Sequence, residues 1–114
     1  MSKYKEGVIE NHLVQRVLAL GGMCPKWVSP GLTGVPDRIV MLPYSEICFV
    51  EVKAEDGQLS VRQQRVIAAI EALQGPQVFV FSSEEEVDEW LDEWVAAHDE
   101  FMKASGPTEH DKVN

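Results

Sequence analysis

Three charged residues lie inside the most apolar part of this sequence, where charged side chains are seldom found unless they are paired or put to use. Asp37 precedes the run RIVML, and Glu51 and Lys53 lie at the end of the run ICFVEVK. Two carboxylates and an ammonium can bind a divalent cation and assist a hydrolytic water. Alternatively, Glu51 and Lys53 form a surface ion pair and Asp37 caps the turn after Pro36. The strands and helices that position these residues decide between a metal site and a surface ion pair.

The register of the predicted hairpin determines whether the three side chains meet. If Asp37 lies opposite Glu51, the connecting loop is PYS at 43–45, whose length and composition are typical of hairpins. Directly opposed side chains point to the same face, with Cβ atoms about 5 Å apart. Alternation along the strand places Lys53 on the same face as Glu51. This register therefore predicts that both carboxylates and the ammonium lie together at one end of the sheet.

Two carboxylates this close repel each other by roughly 4 kcal/mol at an effective dielectric constant of about 20. A shared proton, Lys53 or a cation must offset this repulsion. Mg²⁺ prefers carboxylate and carbonyl oxygens, so Asp37, Glu51 and the backbone carbonyl of Val52 predict part of a metal site. Glu10, on the apolar stripe of the first helix, either adds a carboxylate or is a solvated acid favoured by the helix dipole. Lys53 would orient or deprotonate a water, or neutralise charge on a phosphate.

The apolar periodicity predicts an α/β fold around this hairpin. Helices are expected at 6–20, at 60–73 and from about 83, and strands at 38–42, 47–53 and 78–81. The helix at 60–73 is a crossover connection, so the strands that it joins are expected to be parallel. The run VFVF at 78–81 is typical of a strand buried on both faces. The expected architecture is a mixed β-sheet flanked by helices in the order α-β-β-α-β-α.

Length and composition indicate one soluble domain. The chain has 114 residues, which we divide into a domain at 1–103 and a disordered acidic and polar tail at 104–114. No apolar stretch approaches the roughly 20 residues that span a membrane, and the N-terminus does not resemble a signal peptide. Two isolated cysteines, Cys24 and Cys48, fit a reducing, cytoplasmic location. The scattered histidines do not suggest a zinc site.

The distribution of charge permits a nucleic-acid partner despite a net charge of −9. Eleven of the 19 acidic residues follow Ser82, together with only two of the ten lysines and arginines. The first 81 residues therefore carry eight acids and eight bases. Because the local field governs contact with a polyanion more than total charge does, this balance allows DNA binding without requiring it.

Polar residues at the start of the helix predicted at 60–73 have either a structural or a functional role. Gln63 completes a capping box with Ser60, or its amide reaches the charged cluster one turn away. Arg62 and Arg65 lie on the polar side of this helix, where solvent exposure is the default. Because Arg62 and Arg65 lie beside the segments that carry the charged residues, we take them as candidates for phosphate contacts, together with Arg38 and Lys26.

The segments described so far resemble the signature of the virus-type replication-repair nucleases (VRR-NUC), a branch of the PD-(D/E)xK nuclease superfamily with a restriction-endonuclease-like fold. That signature has an acid on the first helix, G-x-PD at a strand start, E-x-K on the next strand and L-S-x-x-Q opening a helix. The matching residues here are Glu10, Gly34 to Asp37, Glu51 to Lys53, and Leu59 to Gln63. The resemblance covers residues 6 to about 81. It favours the interpretation in which Asp37, Glu51 and Lys53 surround a metal ion over the surface ion pair.

The resemblance implies a Mg²⁺- or Mn²⁺-dependent endonuclease that cuts DNA phosphodiesters with water as the nucleophile. The catalytic residues would be Asp37, Glu51, Lys53, Gln63 and Glu10. Stand-alone members resemble Holliday-junction resolvases that act as homodimers on four-way junctions in DNA repair, and we expect this chain, phage-encoded or bacterial, to belong with them. The first helix and the helix carrying Trp90 and Trp94 are candidates for the dimer interface. Alternatives are a flap, nicking or restriction-type nuclease, or a DNA-binding module that does not cut, which the intact Asp37, Glu51 and Lys53 disfavour.

Overall fold

The computed structural model describes residues 5–44 and 46–100. Within them, the elements follow the expected order and, apart from the end of the third helix, lie within one residue of their predicted bounds: α1 Glu6–Ala19, β1 Arg38–Leu42, β2 Glu46–Val52, α2 Val61–Ala72, β3 Gln77–Phe81 and α3 Glu84–Ala97. None of these helices is long and apolar enough to cross a membrane. The third helix was expected to continue to Phe101, but α3 ends at Ala97, where His98 caps it. Phe101 and the predicted tail at 104–114 lie outside the described residues.

The three strands form one mixed sheet in the order β1-β2-β3. β1 and β2 are antiparallel, and Arg38 lies opposite Val50, which is the register that the loop length predicted. In the connecting turn, Tyr44 adopts a positive φ of 65°. β2 and β3 are parallel, as expected for strands joined through α2. This topology brings the ends of β1 and β2 that carry Asp37 and Glu51 together.

A short extended segment, residues 23–27, covers the outer edge of β1. Four backbone hydrogen bonds join the two, among them the pair exchanged between Met23 and Met41 and the bond from the Trp27 N–H to the Asp37 carbonyl. Pro25 lies in this segment, and its carbonyl accepts from the Ile39 N–H, which needs no donor from proline. This pairing, which the sequence pattern did not predict, fixes the backbone of Asp37.

Helices cover both faces of the sheet. α1 and α3 lie on one face, where the apolar stripes of both helices, including Leu13, Val17, Leu91 and Trp94, are buried in the core. The dimer interface was expected on the apolar surfaces of these two helices, and the core of a single chain buries most of them, although Trp90 is only partly buried. α2 lies on the opposite face, where Val66 is its buried residue.

One expectation about the sheet was wrong. The strand at 78–81 was expected to be buried on both faces, but Val80 is 39 % exposed. β3 is the last strand of the sheet, and α2 covers only part of its outer face, where Val78 is buried. A short apolar run does not distinguish a central strand from an edge strand that is half covered.

Candidate active site

A glycine places the loop before β1 against the start of α2. Gly34 has a φ of +87°, in the left-handed region that glycine tolerates best. A Cβ atom at this position would lie 2.6 Å from Cγ of Arg62 and 3.2 Å from its carbonyl oxygen. Gly34 therefore satisfies both a conformational and a steric requirement, and its substitution would move the loop that leads to Asp37.

Asp37 is held at the end of the hairpin from both sides. Its backbone carbonyl accepts a hydrogen bond from the Trp27 N–H at 2.9 Å. Its side-chain Oδ2 accepts one from the Val52 N–H at 2.8 Å. Since the N–H and C=O of one residue in a strand point to the same side, the Val52 carbonyl also faces the side of β2 on which β1 lies.

Glu51 is the buried charged residue of the described chain, with only 2 % of its surface exposed. Its Oε2 accepts a hydrogen bond from Gln63 Nε2 at 2.9 Å and lies 3.6 Å from Lys53 Nζ. Its other oxygen, Oε1, is buried and has no hydrogen-bond partner among the described residues. A buried carboxylate oxygen without a donor is costly, and a proton or a bound cation would offset this cost.

Gln63 satisfies both interpretations that the sequence left open. Its Oε1 accepts from the Ser60 N–H at 2.9 Å, and Ser60 Oγ accepts from the Gln63 N–H at 3.1 Å, so the capping box is complete. The same amide donates through Nε2 to Glu51. The start of α2 is therefore linked directly to the orientation of the Glu51 carboxylate.

The environment raises the pKa of both carboxyl groups. Burial, followed by the nearby charge of Asp37, raises the pKa of Glu51 to about 7, although Lys53 opposes the shift. Burial also raises the pKa of Asp37, and the hydrogen bond from Val52 opposes this rise. The positive charge of Lys53 does not compensate the two carboxylates, so a proton or a cation is required near neutral pH.

Glu10 is paired with an arginine. Its Oε2 accepts from Arg38 Nε at 2.8 Å, and Arg38 Nη1 also donates to the Cys24 carbonyl at 2.7 Å. Strand alternation places Arg38 on the face that α1 covers, whereas Glu51 lies on the face that α2 covers. The charge of Glu10 nonetheless contributes to the raised pKa of Asp37, so Glu10 lies at the margin of the site.

The other predicted phosphate contacts lie on the surface. Lys26, Arg62 and Arg65 are exposed, and no ion pair holds any of them within the described residues. Arg38, by contrast, would have to release Glu10 to contact a phosphate. The contributions of the Trp27 N–H and the Cys24 carbonyl were not predicted, because backbone contacts from an irregular segment leave no periodic signal in the sequence.

Comparisons with known proteins agree with this geometry. No protein-family model matches the chain. It is 46 % identical over 85 residues to "Putative nuclease p44" of Acyrthosiphon pisum secondary endosymbiont phage 1, a match that covers 75 % of this chain and 90 % of the phage protein. A solved structure described as "VRR_NUC domain" superimposes with a TM-score of 0.69 at 35 % identity, covering 76 % of this chain and 94 % of the other.

The chain belongs to the VRR-NUC family. The α-β-β-α-β-α order and the mixed three-stranded sheet are those of the VRR-NUC fold, which confirms the expected family and fold class. The segments quoted for the resemblance are the ones that build this site: Gly34 positions the loop, Asp37 and Glu51 lie together, and Gln63 contacts Glu51.

VRR-NUC membership suggests a divalent metal, and the residues present fit one. Within the described residues, no group of three or more histidine, cysteine or acidic side chains is arranged to hold a metal ion. Mg²⁺, however, commonly uses one or two carboxylates together with waters and substrate phosphates. Asp37, Glu51 with its unpartnered Oε1, and the Val52 carbonyl supply oxygen ligands of this type.

Proposed function

We propose that this protein is a divalent-metal-dependent endonuclease that cuts phosphodiester bonds in branched DNA. The observation that carries the proposal is the buried, unpartnered Oε1 of Glu51 beside Asp37 and Lys53. An uncompensated carboxylate pair at the end of a sheet is stable near neutral pH only when a proton or a cation completes it. A site that serves only the fold would lack this requirement.

Each residue of the site has a distinct role in this proposal. Asp37, Glu51 and the Val52 carbonyl would hold the metal, which when bound supplies Lewis-acid polarisation of a phosphate oxygen and a more acidic water. Lys53 keeps an ammonium beside Glu51, where it stabilises negative charge on the phosphate or orients the attacking water. Gln63 fixes the orientation of Glu51. Glu10, once released by Arg38, would add a carboxylate directly or through a water.

A four-way junction is the substrate that we favour. This junction has two-fold symmetry, and its resolution needs paired cuts on opposing strands. A single site in each chain cannot make both cuts at once, so a two-fold symmetric homodimer would be required.

A second candidate is a monomeric nuclease that nicks DNA or cuts flaps. The observation that favours it is the burial of the α1 and α3 apolar stripes in the core of one chain. Those stripes were the basis for the expected dimer interface. If no other surface joins two copies, paired cutting is excluded but a single metal-dependent cut is not.

A substrate panel with defined metals tests both candidates. Four-way junction, 5′ flap, nicked duplex and linear duplex would be incubated with Mg²⁺, Mn²⁺ or EDTA, with Glu51→Gln as the matched inactive control. We expect metal-dependent cleavage of the branched substrates by the wild type. Light scattering showing a dimer of about twice 12.8 kDa, free or on the junction, supports the resolvase, and a monomer in both states supports the flap nuclease. Absence of cleavage on every substrate with both metals would refute the proposal.

A further inference from the structure

A groove along one flank of α2 is not explained by the catalytic residues. It has a volume of about 410 Å³, which is within the range of ligand sites in proteins. Its lining comes from the loop before Gly34 and from successive turns of α2: Leu32, Arg62, Arg65, Val66, Ile70 and Leu73. Leu32 is 46 % exposed and Leu73 is 78 % exposed, so apolar side chains remain in contact with solvent here.

The charges that line this groove are available to a ligand. Among the described cationic residues, Arg16, Arg38 and Lys53 are held in ion pairs. Arg62 and Arg65 have no ion-pair partner among the described residues, although the protein carries a net charge of −9. Two unpaired guanidinium groups beside an apolar surface favour an anionic ligand that also has apolar parts.

The groove begins next to the active site. Arg62 contacts the Gly34 loop that leads to Asp37. Gln63, between the two arginines in sequence, donates to Glu51 from the other side of the helix turn. A nucleic-acid strand whose phosphate lies at Asp37 and Glu51 would therefore continue along α2, past Arg62 and Arg65 toward Leu73.

We infer that this groove binds unpaired nucleotides of the DNA strand next to the cleavage site. The inference rests on the proposed nuclease function and specifies the feature of branched DNA that is recognised. The outside of a duplex presents phosphates and sugars, which gain little from an apolar groove. An unpaired base exposes flat apolar faces, on which guanidinium planes stack while they also pair with phosphates. The groove therefore favours an unpaired strand over a duplex.

Binding measured in EDTA tests the groove without requiring cleavage. The probes are a labelled single-stranded oligonucleotide and a duplex of the same sequence, followed by fluorescence anisotropy. Leu73→Ser removes an exposed apolar side chain from the groove, and Val28→Ser, at a residue that is 79 % exposed and does not line the groove, is its control. We expect Leu73→Ser to weaken single-strand binding about fivefold, corresponding to partial loss of apolar burial, and to change duplex binding less than twofold.

A variant that removes a charge from the groove provides an independent test. Arg65→Gln should weaken binding of the single strand and reduce the salt dependence of its affinity by about 0.7 in log–log slope. Lys5→Gln, which changes an exposed cation outside the groove, should leave this slope unchanged. Equal effects of Arg65→Gln and Lys5→Gln would overturn the inference, because they would indicate a nonspecific response to total charge.

The remaining outcomes separate this inference from the proposed function. Metal-dependent cleavage of branched DNA together with wild-type single-strand affinity of Leu73→Ser would refute the groove alone. Groove-dependent binding of the single strand without any cleavage would support the groove and refute the nuclease. A change from dimer to monomer in Leu73→Ser, with unaltered single-strand affinity, would overturn the inference and identify the groove as a contact between copies of the chain.

Discussion

Two clusters of charged side chains within the described part of the chain differ in how their charges are compensated. Between α1 and α3, Asp88 Oδ1 lies 2.7 Å from His12 Nε2 and accepts from Arg16 Nη1 at 2.6 Å. Asp92 also accepts from Arg16, at 2.9 Å, and Glu84 lies 3.3 Å from His12. Each carboxylate of this cluster has a basic partner, and the Asp88 side chain is 40 % exposed.

The candidate active site has the opposite character. Glu51 is nearly inaccessible to solvent, one of its oxygens has no partner among the described residues, and Lys53 Nζ lies 3.6 Å from the other. The pKa values of Glu51 and Asp88 are shifted in opposite directions. Burial raises that of Glu51 to about 7, whereas at Asp88 the effect of burial is outweighed by hydrogen bonds from His12 and Arg16, so its pKa falls. The paired cluster joins two helices, and the incompletely paired one is the site that we propose for a metal ion.

The strongest test of this contrast is the removal of one carboxylate from the site. Glu51→Gln preserves the shape of the side chain and should reduce cleavage on the order of 10³-fold, the upper end of the cost of losing one electrostatic contact at a reacting centre. Asp37→Asn should have a similar effect. Cleavage rates at saturating Mg²⁺ would be compared with the wild type, and circular dichroism would confirm folding. Unchanged rates in both variants would contradict the assignment of the metal site.

A variant of Lys53 distinguishes an effect on metal binding from an effect on catalysis. Lys53→Met keeps the aliphatic part of the side chain and removes the ammonium, which cannot be a metal ligand while protonated. We expect cleavage to fall about 100-fold, as for loss of a catalytic proton-transfer group. Mn²⁺ affinity measured by calorimetry should be retained. Weakened Mn²⁺ binding with normal cleavage would show that Lys53 acts on the metal site and not on the reaction.

The metal-free protein should lose stability as the pH rises. The carboxyl group of Glu51 has a pKa of about 7 in the folded protein and 4.5 ordinarily, so the folded state holds a proton that the unfolded chain releases between these values. The free energy of unfolding should therefore fall between pH 4.5 and 7, by about 3 kcal/mol at most. Urea unfolding in EDTA, followed by tryptophan fluorescence, should show a shallower pH dependence for Glu51→Gln. The same pH dependence of the unfolding free energy in the wild type and in Glu51→Gln would contradict this prediction.

Gln63 can be tested against the next residue of its own helix. Gln63→Ala removes the contact with Glu51 and should reduce cleavage about tenfold, because groups that orient a metal ligand are commonly worth about 10–100-fold. Gln64→Ala, which loses only a bond to the Leu59 carbonyl, should cut normally. Ser60→Ala removes part of the cap of α2 and measures how much of the Gln63 effect comes from the helix start. Equal losses of cleavage rate in Gln63→Ala and Ser60→Ala would show that Gln63 acts only by capping α2.

The hairpin and the crossover could be predicted because each follows from a local constraint. The loop length fixed the register that places Arg38 opposite Val50, and a helical connection between strands implies a parallel pair. Gln63 could not be resolved from the sequence because the two interpretations are compatible: one end of its amide caps the helix and the other contacts Glu51.

Contacts between distant segments were less predictable. The pairing of residues 23–27 with β1 involves a short stretch that contains a proline and has no alternation, so nothing marked it as an edge strand. Arg38 was a candidate for phosphate contact because of its place in the motif, but the packing of α1 on the sheet brings Glu10 to it. A phosphate contact by Arg38 stays a prediction that needs this ion pair to open.

The smallest effect is expected at the compensated cluster. Asp88→Asn removes the charge that binds His12 and Arg16, but this carboxylate is partly exposed to solvent, so the loss of stability should be under about 1 kcal/mol. Because its folded pKa is lowered, the stabilisation by Asp88 is present above its ordinary pKa of 3.8 and disappears as the pH falls further. Urea unfolding should therefore show a larger difference between Asp88→Asn and the wild type at pH 7 than at pH 3, and high salt should reduce it. Cleavage should be unaffected. A loss of cleavage comparable to that of Glu51→Gln would show that charge compensation does not separate the structural cluster from the functional one.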